Sequence, residues 1–211
     1  MTLTWTPELE ATVQTMLRHP GEFPWTLQGF GMLRCDLAGR EYRLHVWDRR
    51  YRVDLVSDIH DHPWDLESLV MSGRITNFLY DIDPHGCRKR HWGVEMQPGP
   101  LTGNEDTEQP FRAELHERSR LDYRRTEVYS QEKTELHRTD FVTGTVTLVR
   151  RTDRQIEPDG SDRAHVYWHE NEGNKRVTAA PRAATPEEIM DICTVALAMW
   201  GEDIGEASDA T

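Results

Sequence analysis

The sequence is poor in cysteine. Cys35, Cys87 and Cys193 are three scattered residues in a chain of 211, with no Cys-x-x-Cys pair. An odd, widely spaced set suits a reducing compartment better than a disulfide framework. Long apolar runs are missing too. No stretch of about 18 apolar residues occurs, so no membrane-spanning helix is expected. The opening MTLTWTPELE shows neither a basic segment nor an apolar segment of the secretory kind, and the expected location is cytoplasmic. Positive charge is in deficit: 25 Lys and Arg face 37 Asp and Glu, a formal net charge of −12. Such a balance argues against a nucleic-acid backbone as the main partner, because phosphates need cations to replace their counterions. The short basic run Arg88-Lys89-Arg90 reads as a solvated turn. Nor is there a glycine-rich phosphate loop, a regular strand–helix alternation, an internal repeat or a low-complexity tract, so a doubly wound nucleotide-binding sheet is not expected.

What the chain does have is length enough for one core, bulk from seven Trp and six Tyr, and ten His. Thr6-Pro7-Glu8 reads as a helix start, and Leu9, Val13, Met16 and Leu17 recur at helical spacing, which predicts a helix over Pro7–Arg18. Glu22–Gly31 is aromatic and turn-rich and reads as a connection. From Met32 the period becomes that of strands. Tyr42, Leu44 and Val46 alternate with Arg43, His45 and Trp47, the pattern of a strand with two different faces. Further strands are expected at Glu67–Met71, Arg74–Tyr80, Arg88–Met96, Ala113–Glu117, Arg120–Thr126, Val142–Arg151 and Ala164–Trp168. Asp48–Tyr51 reads as a polar turn between strands, Gln97–Arg112 as a surface loop, and Asn171–Ala184 as a linker. Thr185-Pro186-Glu187-Glu188 is a capping box opening a helix to about Trp200. That helix is apolar on most sides and is expected to pack on its own sheet, with a homodimer contact as the alternative. The expected organisation is therefore an N-terminal helix and connection over 1–31, a β-barrel over 32–170, and a linker with a C-terminal helix over 171–211. Many short strands flanked by two helices point to a mainly β sandwich or barrel.

The chemistry concentrates in DIHDHPWDLESLVMSG, Asp58 to Gly73. His60 and His62 are two apart, so on a strand both imidazoles leave one face and can converge on one ion. Glu67 follows and offers a carboxylate. A later His must complete the set, and His137 is the best candidate, with His165 and His169 next and His91 and His116 behind them. Imidazole with carboxylate suits iron, manganese, nickel or zinc. Asp61 or Asp65 could orient an imidazole through its second nitrogen. Trp64, Tyr80, Tyr123 and Tyr129 are candidates to line a pocket; Trp64, Tyr80 and Tyr129 are taken as the substrate-contacting set. Among the arginines on strands, Arg43, Arg74 and Arg150 are candidates to meet a carboxylate.

The run His60-x-His62, four residues, Glu67, five residues, Gly73 resembles the first motif of the cupin superfamily, one residue short before the glycine. His137 stands where the second motif's His falls, some 70 residues after Glu67, with a strand following Gly144; the second motif's Pro-x-Gly turn and Asn are absent. His-Asp-His-Pro-Trp-Asp is similar to the metal motif of cysteine-dioxygenase-like cupins. The likeness covers roughly Tyr42–Trp168. It implies a double-stranded β-helix, or jelly-roll, barrel and one divalent metal, Fe(II) favoured over Zn, Mn or Ni. The implied ligands are His60, His62, Glu67 and His137, with Glu67 also a potential base. The implied activity is that of an Fe(II)-dependent dioxygenase-type oxidoreductase acting on a small molecule. The alternative is a non-oxidative cupin: an isomerase, a lyase, or a ligand-binding or sensing module.

Overall fold

The computed structural model describes residues 2–37, 41–53, 58–83, 85–97, 105–106, 110–154, 164–172 and 181–209. Most of the expected loop Gln97–Arg112, the turns at 38–40 and 155–163, and the middle of the linker, 173–180, lie outside them.

Helix α1 (Pro7–Arg18) forms where its spacing places it. Thr6 Oγ1 accepts from the Leu9 amide at 3.2 Å, relieving one of the unpaired N–H groups of the first turn. Strands β1 (Trp25–Gln28), β2 (Phe30–Leu37), β3 (Tyr42–Arg52), β4 (Ile59–His60), β5 (Trp64–Ser72), β6 (Arg74–Ile82) and β7 (His91–Gln97) follow. Then come β8 (Glu105–Asp106), β9 (Phe111–Ala113), β10 (Leu115–Arg124), β11 (Val128–Gln131), β12 (Leu136–Phe141), β13 (Val146–Arg154), β14 (Ala164–His169) and β15 (Arg182–Ala183). Helix α2 (Pro186–Asp209) closes the described chain. Its capping box is reciprocal: Glu188 N donates to Thr185 Oγ1 and Thr185 N donates to Glu188 Oε2.

The protein is mainly β, in two antiparallel sheets. One runs β11-β5-β13-β3-β2-β1-β15; the other runs β10-β6-β12-β4-β14-β7-β8, with β9 on β7. The chain passes from the first sheet to the second at the corner Ser72-Gly73-Arg74. Gly73 has φ +77°, and a Cβ there would stand 2.9 Å from Thr145 Cα, so only glycine lets the two turns touch.

Helix α2 runs past its expected end near Trp200 to Asp209, and three strand expectations differ from the structure. Asp48–Tyr51 is strand, not turn, because β3 continues to Arg52 and pairs with Phe30 across a bulge. The connection Glu22–Gly31 contains β1, which pairs β2 on one side and β15 on the other. The two strands expected between Ala113 and Thr126 are largely one, β10, broken only by a bulge near Arg118. In each case tertiary pairing overrides the local turn and charge signals.

The first sheet is buried on both faces. Leu33, Cys35, Leu44, Val46, Leu69, Met71 and Leu148 meet α1 and α2 through Val13, Leu17, Ile192, Ala196 and Trp200. The C-terminal helix thus packs on its own sheet. The other face carries Met32, Trp47, Trp64, Leu66, Val70, Tyr129 and Val149, which share a core with Ile75 and Phe141 of the second sheet. This inner space between the sheets holds the histidines described next. No helix among the described residues is long and apolar enough to cross a membrane.

Candidate metal centre

His60 ends β4, and β4 lies between β12 and β14. The ladder sets His137 of β12 directly opposite His60, so residues 77 apart in sequence face each other by register alone. Their ring centroids are 4.5 Å apart. His62, two residues on, stands edge-on to His60 at 4.9 Å and tilted to His137 at 5.0 Å. One ligand atom from each of the three lies within 4.8 Å of the others.

The rings are held from behind. His60 Nδ1 is 3.0 Å from the Asp58 carbonyl and His137 Nδ1 is 3.1 Å from the Glu135 carbonyl. A carbonyl only accepts, so each Nδ1 carries the proton and each Nε2 keeps its lone pair, the tautomer a metal needs. His60 also stacks on Phe30 at 5.2 Å, and His62 stacks on Trp64 at 5.5 Å. Burial holds all three imidazoles below the ordinary histidine range, His137 to about 3, with the adjoining His60 and His137 and then Arg43 opposing a further proton at His62. Neutral, converging and pre-oriented, this donor set fits a divalent ion of the borderline class.

Glu67 is not brought to the three imidazoles, which corrects its expected role as ligand and base. It lies on the helix-facing side of β5 with Leu69 and Met71, whereas Trp64, Leu66 and Val70 face the inner space. Its Oε2 accepts from Arg150 at 2.7 Å and from the Leu3 amide at 3.1 Å. Within β5, three positions separate the inward Trp64 from Glu67, an odd number, and period-two geometry puts them on opposite faces. Arg150, a candidate for substrate binding, is thereby engaged with Glu67 on the outer face.

The rival histidines are occupied elsewhere. His165 Nδ1 is 2.8 Å from Asp61 Oδ2, and the same carboxylate accepts from the His165 amide. His91 and His169 meet each other edge-on at 5.1 Å. His116 is exposed beside Asp83 and Glu114. Asp61 therefore orients His165, and Asp65 accepts from the Lys133 amide. Backbone carbonyls, not these acids, support the site imidazoles.

Of the aromatic candidates, Trp64 adjoins His62, and Tyr129 shares the inner core with it. Tyr80 pairs with Leu136 and packs with Ile59 and Tyr167, on the face of its sheet opposite His137. Sequence reading missed Phe30, which stacks on His60, and two arginines on the inner face of the first sheet, Arg34 on β2 opposite His45 and Arg151 over the Trp64 ring. Phe30 was assigned to a connection. The arginines were hidden because charged strand positions are ordinarily outward, whereas here the helices cover the apolar face and the polar face turns inward.

Neither a family model nor a curated protein matches this sequence.

Proposed function

We propose that the chain is a metal-dependent cupin of the double-stranded β-helix type, acting on a small molecule by Fe(II)-dependent dioxygenase-type chemistry. The observation that carries this reading is the convergence of three neutral imidazoles between the two sheets, two of them stacked on Phe30 and Trp64. His60, His62 and His137 would hold the ion. Bound Fe(II) supplies open coordination positions where a substrate and dioxygen can meet. The protein's part is orientation and dryness: Phe30 and Trp64 brace two of the ligands, and the inner core limits water.

A second reading has one observation in its favour. With Glu67 turned away, the donor set among the described residues is three neutral histidines without a carboxylate. Three histidines also serve zinc, where the ion activates water instead of dioxygen. That points to a non-oxidative cupin: a lyase, an isomerase or a binding module.

Elemental analysis of protein purified without added metal, on wild type and His60→Ala, tests both. About one equivalent of iron in the wild type, lost in the variant, together with oxygen uptake in the presence of a substrate, supports the first. Zinc, manganese or nickel without oxygen uptake supports the second. No metal in either protein, even after reconstitution, refutes both catalytic readings.

A further inference from the structure

The spacing of His60 and His62 does not by itself aim both rings at one point. Strand β4 ends at His60 and β5 begins at Trp64, so His62 sits in the crossing between them. A side chain past a strand end does not inherit the strand's alternation. The direction of His62 therefore depends on what holds the crossing.

Asp61, the residue between the two, is tied to His165 three times over. Its amide donates to the His165 carbonyl at 3.1 Å, one step beyond the pairing of Ile59 with Tyr167 and His60 with Val166. Its Oδ1 accepts from the His165 amide at 2.6 Å, and its Oδ2 lies 2.8 Å from His165 Nδ1. A carboxylate only accepts, so Nδ1 carries the proton of that bond. Asp61 is 5% exposed, and a charge so far from water is costly unless several donors reach it. His165 alternates with Val166, which stands opposite His60, and it shares the face of Tyr167, which packs with Leu136 and Tyr80. The Asp61 side chain is thus drawn to the face of the second sheet opposite the imidazoles. On the other side of the crossing, the Thr134 amide donates to the His62 carbonyl at 3.1 Å. With Asp61 pinned on one face and the His62 carbonyl held by the β11–β12 turn, the His62 ring is delivered to the other face, beside His60 and His137.

We propose that Asp61 is a positioning residue of the metal centre: bonded to His165 on the far face of the sheet, it extends β4 by one rung and sets the direction in which His62 leaves. The inference rests on the metal-binding reading above and deepens it. Asp61 acts through the main chain, unlike an acid that bonds the second nitrogen of a ligand imidazole. His165, which the sequence offers as a rival ligand, becomes the anchor of that support.

The test is Co(II) titration, read by visible absorption, of the wild type, Asp61→Ala, His165→Ala, the double variant and Asp61→Asn. Asp48→Ala serves as the control for general loss of stability, since Asp48 is also a buried carboxylate, bonded to Arg50. Asp61→Ala should weaken Co(II) binding about 10-fold or more, the scale for losing an outer support of a ligand. His165→Ala should do the same, and the double variant should lose no more than either single, because the two act as one pair. Asp61→Asn keeps an acceptor for His165 and should recover most of the affinity, and Asp48→Ala should bind as the wild type does. Proton–nitrogen correlation spectra of the metal-free imidazoles are recorded alongside: the His62 signals should move in Asp61→Ala, and those of His91 and His169 should not. If Asp61→Ala does not fold, His165→Ala carries the test by the same criteria. Equal Co(II) affinity in the wild type and the folded variant, or an equal loss in Asp48→Ala, overturns the proposal. A wild type that takes no Co(II) removes the metal reading; the ring spectra then decide this inference, and unmoved His62 signals overturn it.

Discussion

Lowering the pH of the metal-free protein should destabilise it through His137 in a way the wild-type sequence cannot avoid. His137 is 3% exposed, and its burial, with repulsion from His60, brings the imidazole down to about 3 from an ordinary 6.5. Between those two values the unfolded chain binds a proton that the folded chain refuses. Stability is therefore fully present above the unfolded value and is lost as pH falls below it. Moving from about pH 7.5 to about pH 5 costs roughly 2 kcal/mol for this one group, at about 1.4 kcal/mol for each pH unit below the ordinary value. His60 and His62 are displaced in the same direction and steepen the loss. The assay is urea unfolding of chelator-treated wild type and His137→Gln at both pH values. The wild type should lose about 2 kcal/mol more than the variant over that interval. Equal losses in the two proteins would refute the reasoning, since the proton-refusing imidazole would not be His137.

Other outcomes follow from particular contacts. Glu67→Gln should leave metal content unchanged but cost about 2 kcal/mol, because Arg150 loses a charged acceptor in a mostly buried pair; denaturant midpoints and elemental analysis read the two effects separately. Gly73→Ala should cost about 1 to 3 kcal/mol by thermal unfolding, from its positive φ and the approach to Thr145. Trp200→Ala should cost about 3 to 5 kcal/mol, since the ring is 1% exposed in the helix–sheet core and its indole N–H donates to Glu10 Oε1 at 2.8 Å. A variant at Trp200 as stable as the wild type would mean that α2 does not dock on the sheet.

Local chemistry made part of this protein legible from sequence. Both helix starts follow from short capping signals that act within four residues, and the helices begin where Thr6 and Thr185 place them. The His60-x-His62 pair was readable as a pair, but only His60 is on a strand; His62 lies just past the end of β4, in the crossing to β5, so their convergence rests on that crossing and not on strand alternation. His137 could be nominated because a third ligand was required, but it was one of several. Register decided among them: His137 sits opposite His60 on β12, while His165 is drawn to Asp61. The face of Glu67 turned on the alternation of β5 from Trp64 onward, which puts Trp64 inside and Glu67 on the helix-facing side. Likewise, Arg43 and His45 alternate with Leu44 and Val46 in the sequence as a strand with one polar side should. The sequence alone identifies two faces; only packing decides which is inside. Here α1 and α2 bury the face of Leu44 and Val46, so the mixed face that carries Arg43, His45 and Trp47 is left turned toward the second sheet and the imidazoles. Spacing along a strand is local and readable in the chain. The side of a sheet that faces the core depends on what covers the other side, and only the tertiary structure settles it.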